Sequence, residues 1–212
     1  MYESERKVLI DKIRAKGITN ENVLAAMADI ERHLFVPDAI ASNAYKDVAL
    51  PIGFNQTISQ PYTVAFMTEA LKVKEGNKIL EIGTGSGYQA AILEKMGARV
   101  FTIERQPDIF LRTQKLFDKL NIRVVCRLGD GTIGWNDYAP FDGIIVTAGS
   151  PTIPENLKKQ LNIGGRLVIP VGDRHSQVLK ILVKTSEDTF REENVPHFAF
   201  VPLIGREGWK ER

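Results

Sequence analysis

Residues 78–89, Lys-Ile-Leu-Glu-Ile-Gly-Thr-Gly-Ser-Gly-Tyr-Gln, decide how this chain folds. A short apolar run ends in Glu81 and gives way to Gly83, Gly85 and Gly87. After them Tyr88, Ala90, Ala91, Leu93 and Met96 recur at helical spacing. The segment reads as strand, tight turn and helix. Glycines allow close approach of the backbone and dihedral angles that a Cβ forbids, and the helix N-terminus behind them carries partial positive charge. The turn is therefore the expected mouth of a cofactor site.

Two features bear on the cofactor. The dinucleotide pattern G-x-G-x-x-G/A would place Gly or Ala at position 88, where this chain has Tyr88. Glu81, at the C-terminal end of the strand, suits a cationic ligand end such as an ammonium or sulfonium better than a pyrophosphate. S-adenosylmethionine is favoured on these grounds, and a nicotinamide or flavin dinucleotide is the alternative.

Working outward, the chain alternates strand and helix patterns. Strands are expected at Lys78–Ile82, Arg99–Ile103, Arg123–Arg127, Phe141–Thr147, Gly165–Pro170, Gln177–Thr185 and His197–Pro202. Helical runs fall at Gln89–Met96, Asp108–Lys119 and Pro154–Leu161. The alternation implies an α/β fold with a mostly parallel sheet. The last strands follow one another without a long helix, which suggests an antiparallel edge. Upstream, residues 4–16 and 21–30 read as helices, the second capped by Thr19-Asn20-Glu21-Asn22. An irregular segment runs from Ala49 to Pro61, and a third helix from about Thr63 to Leu71.

Composition sets outer bounds. With 212 residues, 43% of them hydrophobic and 25% charged, the chain suits one globular domain with a substantial core. The expected organisation is a single domain over 1–212, with helices and an acceptor loop in 1–76 and a cofactor-binding core in 77–212. A net charge of +2 gives no electrostatic argument for nucleic acid. No apolar run is long enough to span a bilayer, and the N-terminus lacks the apolar core of a signal peptide, so a cytoplasmic protein is expected. No exposed apolar helix demands a partner, so a monomer is the default. The one cysteine, Cys126, sits in a strand pattern, and the three histidines show no metal-ligand spacing, so no metal is expected.

Ligands in open α/β sheets sit beyond the C-terminal strand ends. Glu104 follows the second core strand and is placed for a ribose diol, as an acid about 20 residues past the turn commonly is. Asp130, in Gly129-Asp130-Gly131, follows the third and is placed for the exocyclic amine of adenine. Thr147-Ala148-Gly149 follow the fourth and leave space. Each acid alone reads equally well as a solvated loop carboxylate or helix cap. Trp135 and Trp209 are candidates to pack over the cleft or in the scaffold.

Further residues carry a resemblance. Gly53-Phe54-Asn55-Gln56-Thr57-Ile58-Ser59-Gln60-Pro61-Tyr62, together with the Glu81–Gln89 turn, is similar to the protein-L-isoaspartate O-methyltransferase family of bacterial type. Matches continue at Ile103-Glu104-Arg105, Gly129-Asp130-Gly131, Phe141-Asp142, Gly164-Gly165, Pro170-Val171-Gly172 and Phe200-Val201-Pro202-Leu203. The likeness runs from about Val36 to Leu203. Asn55 stands where Gly is common, a departure expected to alter loop conformation more than chemistry.

The resemblance implies a Rossmann-like, seven-stranded methyltransferase fold with S-adenosyl-L-methionine as cofactor. It implies a repair enzyme that methylates the free α-carboxylate of L-isoaspartyl residues in proteins and peptides. Ser59 would be the catalytic serine. Ile58, Ser59, Glu81, Gly83, Thr84, Gly85, Gly87, Glu104, Arg105, Asp130, Gly131 and Thr147 would bind the cofactor. Thr57, Ile58, Ser59, Val201 and Pro202 would bind the acceptor. A carboxylate with a pKa of about 4 is already ionised at neutral pH, so no general base is needed, and Ser59 is expected to position the acceptor. Alternatives are a methyltransferase of RNA or a small molecule, or a module that binds isoaspartyl proteins without turnover.

Overall fold

In the computed structural model, which describes residues 2–211, the run at Ile79–Ile82 lies in the middle of a seven-stranded sheet. The elements in chain order are α1 (Glu3–Ala15), α2 (Glu21–Asp29), β1 (Leu50–Gly53), β2 (Gln56–Ile58), α3 (Pro61–Leu71), β3 (Lys78–Ile82), α4 (Tyr88–Lys95) and β4 (Arg99–Glu104). They continue with α5 (Pro107–Leu120), β5 (Val124–Leu128), β6 (Phe141–Val146), α6 (Glu155–Lys159), β7 (Leu161–Gly172), β8 (Gln177–Lys184) and β9 (Phe190–Phe198). The sheet order is β5-β4-β3-β6-β7-β8-β9. Strands β5 to β7 pair in parallel, and β8 and β9 add an antiparallel edge. The fold is therefore the Rossmann-like architecture expected.

Chemistry visible in the sequence starts and stops these elements. The Asn20 side chain accepts hydrogen bonds from the N–H groups of Asn22 and Val23, capping α2. Pro61 and Pro107 occupy first-turn positions of α3 and α5, where a missing N–H costs nothing. Asn121 closes α5 in the left-handed conformation that Asn tolerates. Because side chains alternate along a strand, Ile79 faces an apolar layer formed with α1 to α4, while Leu80 and Ile82 face a second layer containing Phe101, Ile144, Leu157 and Leu167. Each fully buried Leu or Ile contributes roughly 1.5–3 kcal/mol. Burial on both faces explains why the central strands are apolar almost throughout.

Three expectations are corrected. The segment read as irregular contains a hairpin: β1 and β2 pair with Gly53 opposite Gln56, and Phe54 and Asn55 form the turn at φ 53° and 56°. Two successive positive φ values match the twist of a tight hairpin, and Asn55 suits its position. The last strand is Phe190–Phe198 rather than 197–202. It is an edge strand exposed along most of its length, so it lacks the alternation that marks a half-buried strand. Strand β7 begins at Leu161, through Gly164 and Gly165, and α6 is correspondingly shorter than the run at 154–161 suggested.

The chain leaves β5 and returns to β6 on the other side of β3. That reversal opens a crevice beyond the C-terminal end of β3, where the glycine turn lies. Gly87 begins α4 at φ 86°, and a Cβ there would stand 2.5 Å from the Phe117 ring. Gly87→Ala combines backbone strain with a clash in a packed layer. It is expected to cost about 2–4 kcal/mol in urea unfolding, and a loss below about 0.5 kcal/mol would contradict this packing.

Candidate active site

The parallel register sets Glu81 of β3 opposite Thr102 of β4. The Thr102 hydroxyl donates to Glu81 Oε2 at 2.5 Å and shares a hydrogen bond of 2.7 Å with the Thr84 hydroxyl. Glu81 Oε1 is buried with no partner among the described residues. Burial raises the Glu81 pKa to about 8; the Thr102 hydrogen bond opposes that rise and the charge of Glu104 adds to it. A buried carboxyl with an oxygen to spare is an arrangement for receiving a donor from outside the protein.

Glu104, at the end of β4, accepts 2.8 Å hydrogen bonds from the N–H groups of Gly85, Arg105 and Gln106. It ties the glycine turn to the neighbouring strand. From the other side, the Thr147 hydroxyl at the end of β6 donates to the carbonyls of Ile82 and Gly83, at 3.0 and 2.7 Å. A Cβ on Gly83, which sits at φ 95°, would stand 2.5 Å from that hydroxyl. Thr113 of α5 donates to the Gly85 carbonyl at 2.6 Å. The turn is thus held by three neighbouring elements.

A cleft enclosing about 950 Å³, its open mouth included, lies over this turn, within the usual range for small-molecule sites. Of the residues singled out from the sequence, Glu81, Gly83, Thr84, Gly85, Glu104, Arg105, Gly131 and Thr147 line it on the sheet side. Thr57, Ile58, Ser59, Val201 and Pro202 line the facing wall. The β1–β2 hairpin delivers Ser59 to the mouth, immediately before α3. The Ser59 hydroxyl has no hydrogen-bond partner among the described residues.

Two expected residues do not line the cleft. Gly87 is set back at the start of α4, against Phe117 and Thr113. Asp130 accepts from the Thr132 N–H and hydroxyl through one oxygen and from the Arg206 N–H through the other. Its carboxylate is engaged in holding the C-terminal segment beside Gly131. The tryptophans also belong to the scaffold: Trp135 packs on Phe101 and Tyr138, and Trp209 donates to the Gly149 carbonyl. Burial drives the Cys126 thiol up to about 12, which removes it as a nucleophile.

Other residues of the site were not legible beforehand. Val64 and Met67 of α3 and Leu203 and Ile204 near the C-terminus supply its apolar surface. The α3 pair repeats at i, i+3, which the sequence shows only as a buried helix face. Beyond Ser59 the space continues into a groove lined by Tyr62, Phe66, Phe198 and Phe200, with successive ring centroids 6.1, 5.8 and 6.3 Å apart. Thr57, Ser59, Thr147 and Val201 border both spaces.

A sequence model of the Protein-L-isoaspartate(D-aspartate) O-methyltransferase family matches residues 4–208. The chain belongs to this family. Among its relatives, the protein-L-isoaspartate O-methyltransferase of Syntrophotalea carbinolica is 50% identical over 99% of this chain and 98% of its own length. That of Chlorobium limicola is 52% identical over 97% and 95%. A solved protein-L-isoaspartate O-methyltransferase, 26% identical, superposes with a TM-score of 0.86 over 96% of this chain and 67% of its own. A Plasmodium falciparum structure described in the same terms, in complex with S-adenosyl-L-homocysteine, shares the fold at 23% identity and a TM-score of 0.82, over 94% and 98%.

The raised Glu81 pKa has a consequence without any ligand. The folded protein holds this proton more tightly than the unfolded chain does, so the associated stability is full below about pH 4.5 and is lost as pH rises through about 8. Glu81→Gln does not titrate. Thermal melts should therefore show the variant gaining on the wild type between pH 5 and pH 8, by several degrees. Parallel curves would place Glu81 in a more polar setting.

Proposed function

We propose that this cleft transfers the methyl group of S-adenosylmethionine to the free α-carboxylate of L-isoaspartyl residues in damaged proteins and peptides. The observation that carries the reading is the meeting, across one cleft, of Ser59 from the Gln56–Ser59 segment with Glu81 and the Gly83–Gly85 turn. Family membership supports it.

The donor set fits the cofactor. Glu81 Oε1 lacks a partner and would take a donor from the cofactor's ammonium. Gly83, Thr84 and Gly85 would lie along its amino-acid end, with Thr147 keeping the turn in place. Glu104 already accepts three N–H groups; a carboxylate has about four acceptor sites, so one remains for a ribose hydroxyl. Arg105 and Gly131 would border the adenosine end, with Asp130 holding the wall that carries Gly131. When bound, S-adenosylmethionine supplies a methyl group made electrophilic by its sulfonium.

The chain's own task is then positional. The acceptor carboxylate arrives ionised, so no side chain has to remove a proton. The Ser59 hydroxyl would donate to one carboxylate oxygen and leave the other facing the methyl group, while Ile58 and Val201 exclude water. Fixing two reactants in line can lower a barrier by several kcal/mol, about 7–11 in favourable cases. The aromatic groove beyond Ser59 would take the flanking peptide, with Thr57 and Pro202 at its border. In this division residues up to 76 provide the acceptor loop, and the remainder provides the cofactor platform and the C-terminal segment that completes the acceptor wall.

Peptides differing only in Asp versus L-isoAsp, incubated with labelled S-adenosylmethionine, test the reading. Base-labile labelling of the isoaspartyl member alone is expected, and labelling of neither would point to a binding module. In the same assay Ser59→Ala should lower kcat about 10²-fold and leave S-adenosylhomocysteine affinity within about twofold. Equal losses in both would remove Ser59 from the positioning role.

A further inference from the structure

Arg32 is completely buried, although it lies just past the 21–30 helical pattern and no motif in the sequence marks it. Its Nε donates to the Ala44 carbonyl at 2.9 Å, and one terminal nitrogen, Nη2, donates to the Ser59 carbonyl at 2.8 Å. Its guanidinium lies 4.8 Å from the centroid of the Tyr88 ring, the first residue of α4. The other terminal nitrogen, Nη1, has no partner among the described residues. No carboxylate among them lies within ion-pair distance. Asp47, whose charge Arg32 senses, is paired with Lys16 at 2.5 Å.

A buried guanidinium without a counter-ion is costly, and Arg keeps its charge where other bases would shed it. Two carbonyls and the Tyr88 side chain, through its ring and its hydroxyl, offset only part of that cost. Chain anchoring alone does not require a charge, since a neutral donor could satisfy the same carbonyls. The charge stands directly behind Ser59, one of the residues at which the cleft and the aromatic groove meet. Attraction through a low-dielectric interior is stronger than through water and little screened by salt.

We propose that Arg32 is a positioning residue for the acceptor: it fixes the Ser59 main chain through its carbonyl, and its buried charge favours a carboxylate over a neutral group at that face of the cleft. The inference rests on the acceptor reading above and adds a basis for charge selection to it. Arg32 bonds the Ser59 main chain on the acceptor wall and also lies against Tyr88, which lines the cleft just past the glycine turn. Comparing two acceptors with S-adenosylhomocysteine already bound isolates its effect on the acceptor.

The test compares binding of an L-isoaspartyl peptide with binding of its α-carboxamide analogue, similar in shape but uncharged, by calorimetry with S-adenosylhomocysteine present. The wild type should prefer the acid by about tenfold or more, and raising salt to about 0.5 M should leave that ratio nearly unchanged. Arg32→Met should reduce the preference about tenfold, and Arg32→Lys, which keeps the charge, should regain most of it. A purely structural role would weaken both peptides equally in Arg32→Met, and that result overturns the proposal. Should Arg32→Met not fold, a wild-type preference that collapses with salt, or one lost in folded Arg32→Lys, overturns it as well. Methylation of the isoaspartyl peptide by the wild type, assayed in parallel, separates failure of the acceptor reading from failure of this inference.

Discussion

The carboxylate of Glu104 receives three backbone N–H groups, from Gly85, Arg105 and Gln106, and the site depends on that grip. A glycine turn has little conformational preference of its own, since Gly83, Gly85 and Gly87 all adopt positive φ. It becomes a rigid platform because Glu104 holds it from β4, Thr147 from β6 and Thr113 from α5. Each of these groups stands at or just beyond a strand end, or on the helix packed beside the turn. Sheet register therefore becomes binding geometry here, with the cofactor platform and the central strands as one construction.

Two buried side-chain atoms are left without partners among the described residues, Glu81 Oε1 and Arg32 Nη1. They belong to opposite sides of the site. Glu81 lies beneath the glycine turn, where a cationic ligand end would complete it. Arg32 lies behind Ser59, where an anionic acceptor would meet its charge. Buried polar groups are nearly always satisfied in folded proteins; Glu81 lines the cleft, where a ligand can complete it, whereas Arg32 is enclosed behind the wall that carries Ser59. The proposed reaction joins a cationic donor to an anionic acceptor, and the protein places a carboxyl, Glu81, on the donor side and a guanidinium, Arg32, on the acceptor side.

Much of this was legible in the sequence. The strand at 78–82 and the helix at 21–29 fall within a residue or so of their expected bounds, because apolar spacing, glycines and an Asn cap act locally. The Phe54–Asn55 hairpin was not legible, since neither residue announces a tight turn as Asn-Gly would and the flanking strands are only a few residues long. Strand β9 was displaced because an exposed edge strand has no buried face to set a pattern. Asp130 lay in the expected loop, but the direction of its side chain depends on Thr132 and on Arg206, 76 residues away. Arg32 was missed for a similar reason: only tertiary structure reveals that a charge at the end of a helical run is enclosed.

The central claim is that one cleft, with Ser59 at the junction, presents the acceptor carboxylate to the cofactor held on the glycine turn. A crystal structure of the protein with S-adenosylhomocysteine and an L-isoaspartyl peptide tests it most directly. The account predicts the cofactor's amino group on Glu81, the peptide along Phe66, Phe198 and Phe200, and the isoaspartyl carboxylate within hydrogen-bond distance of the Ser59 hydroxyl. A carboxylate bound on the far side of Val201, or turned away from Ser59, would contradict it.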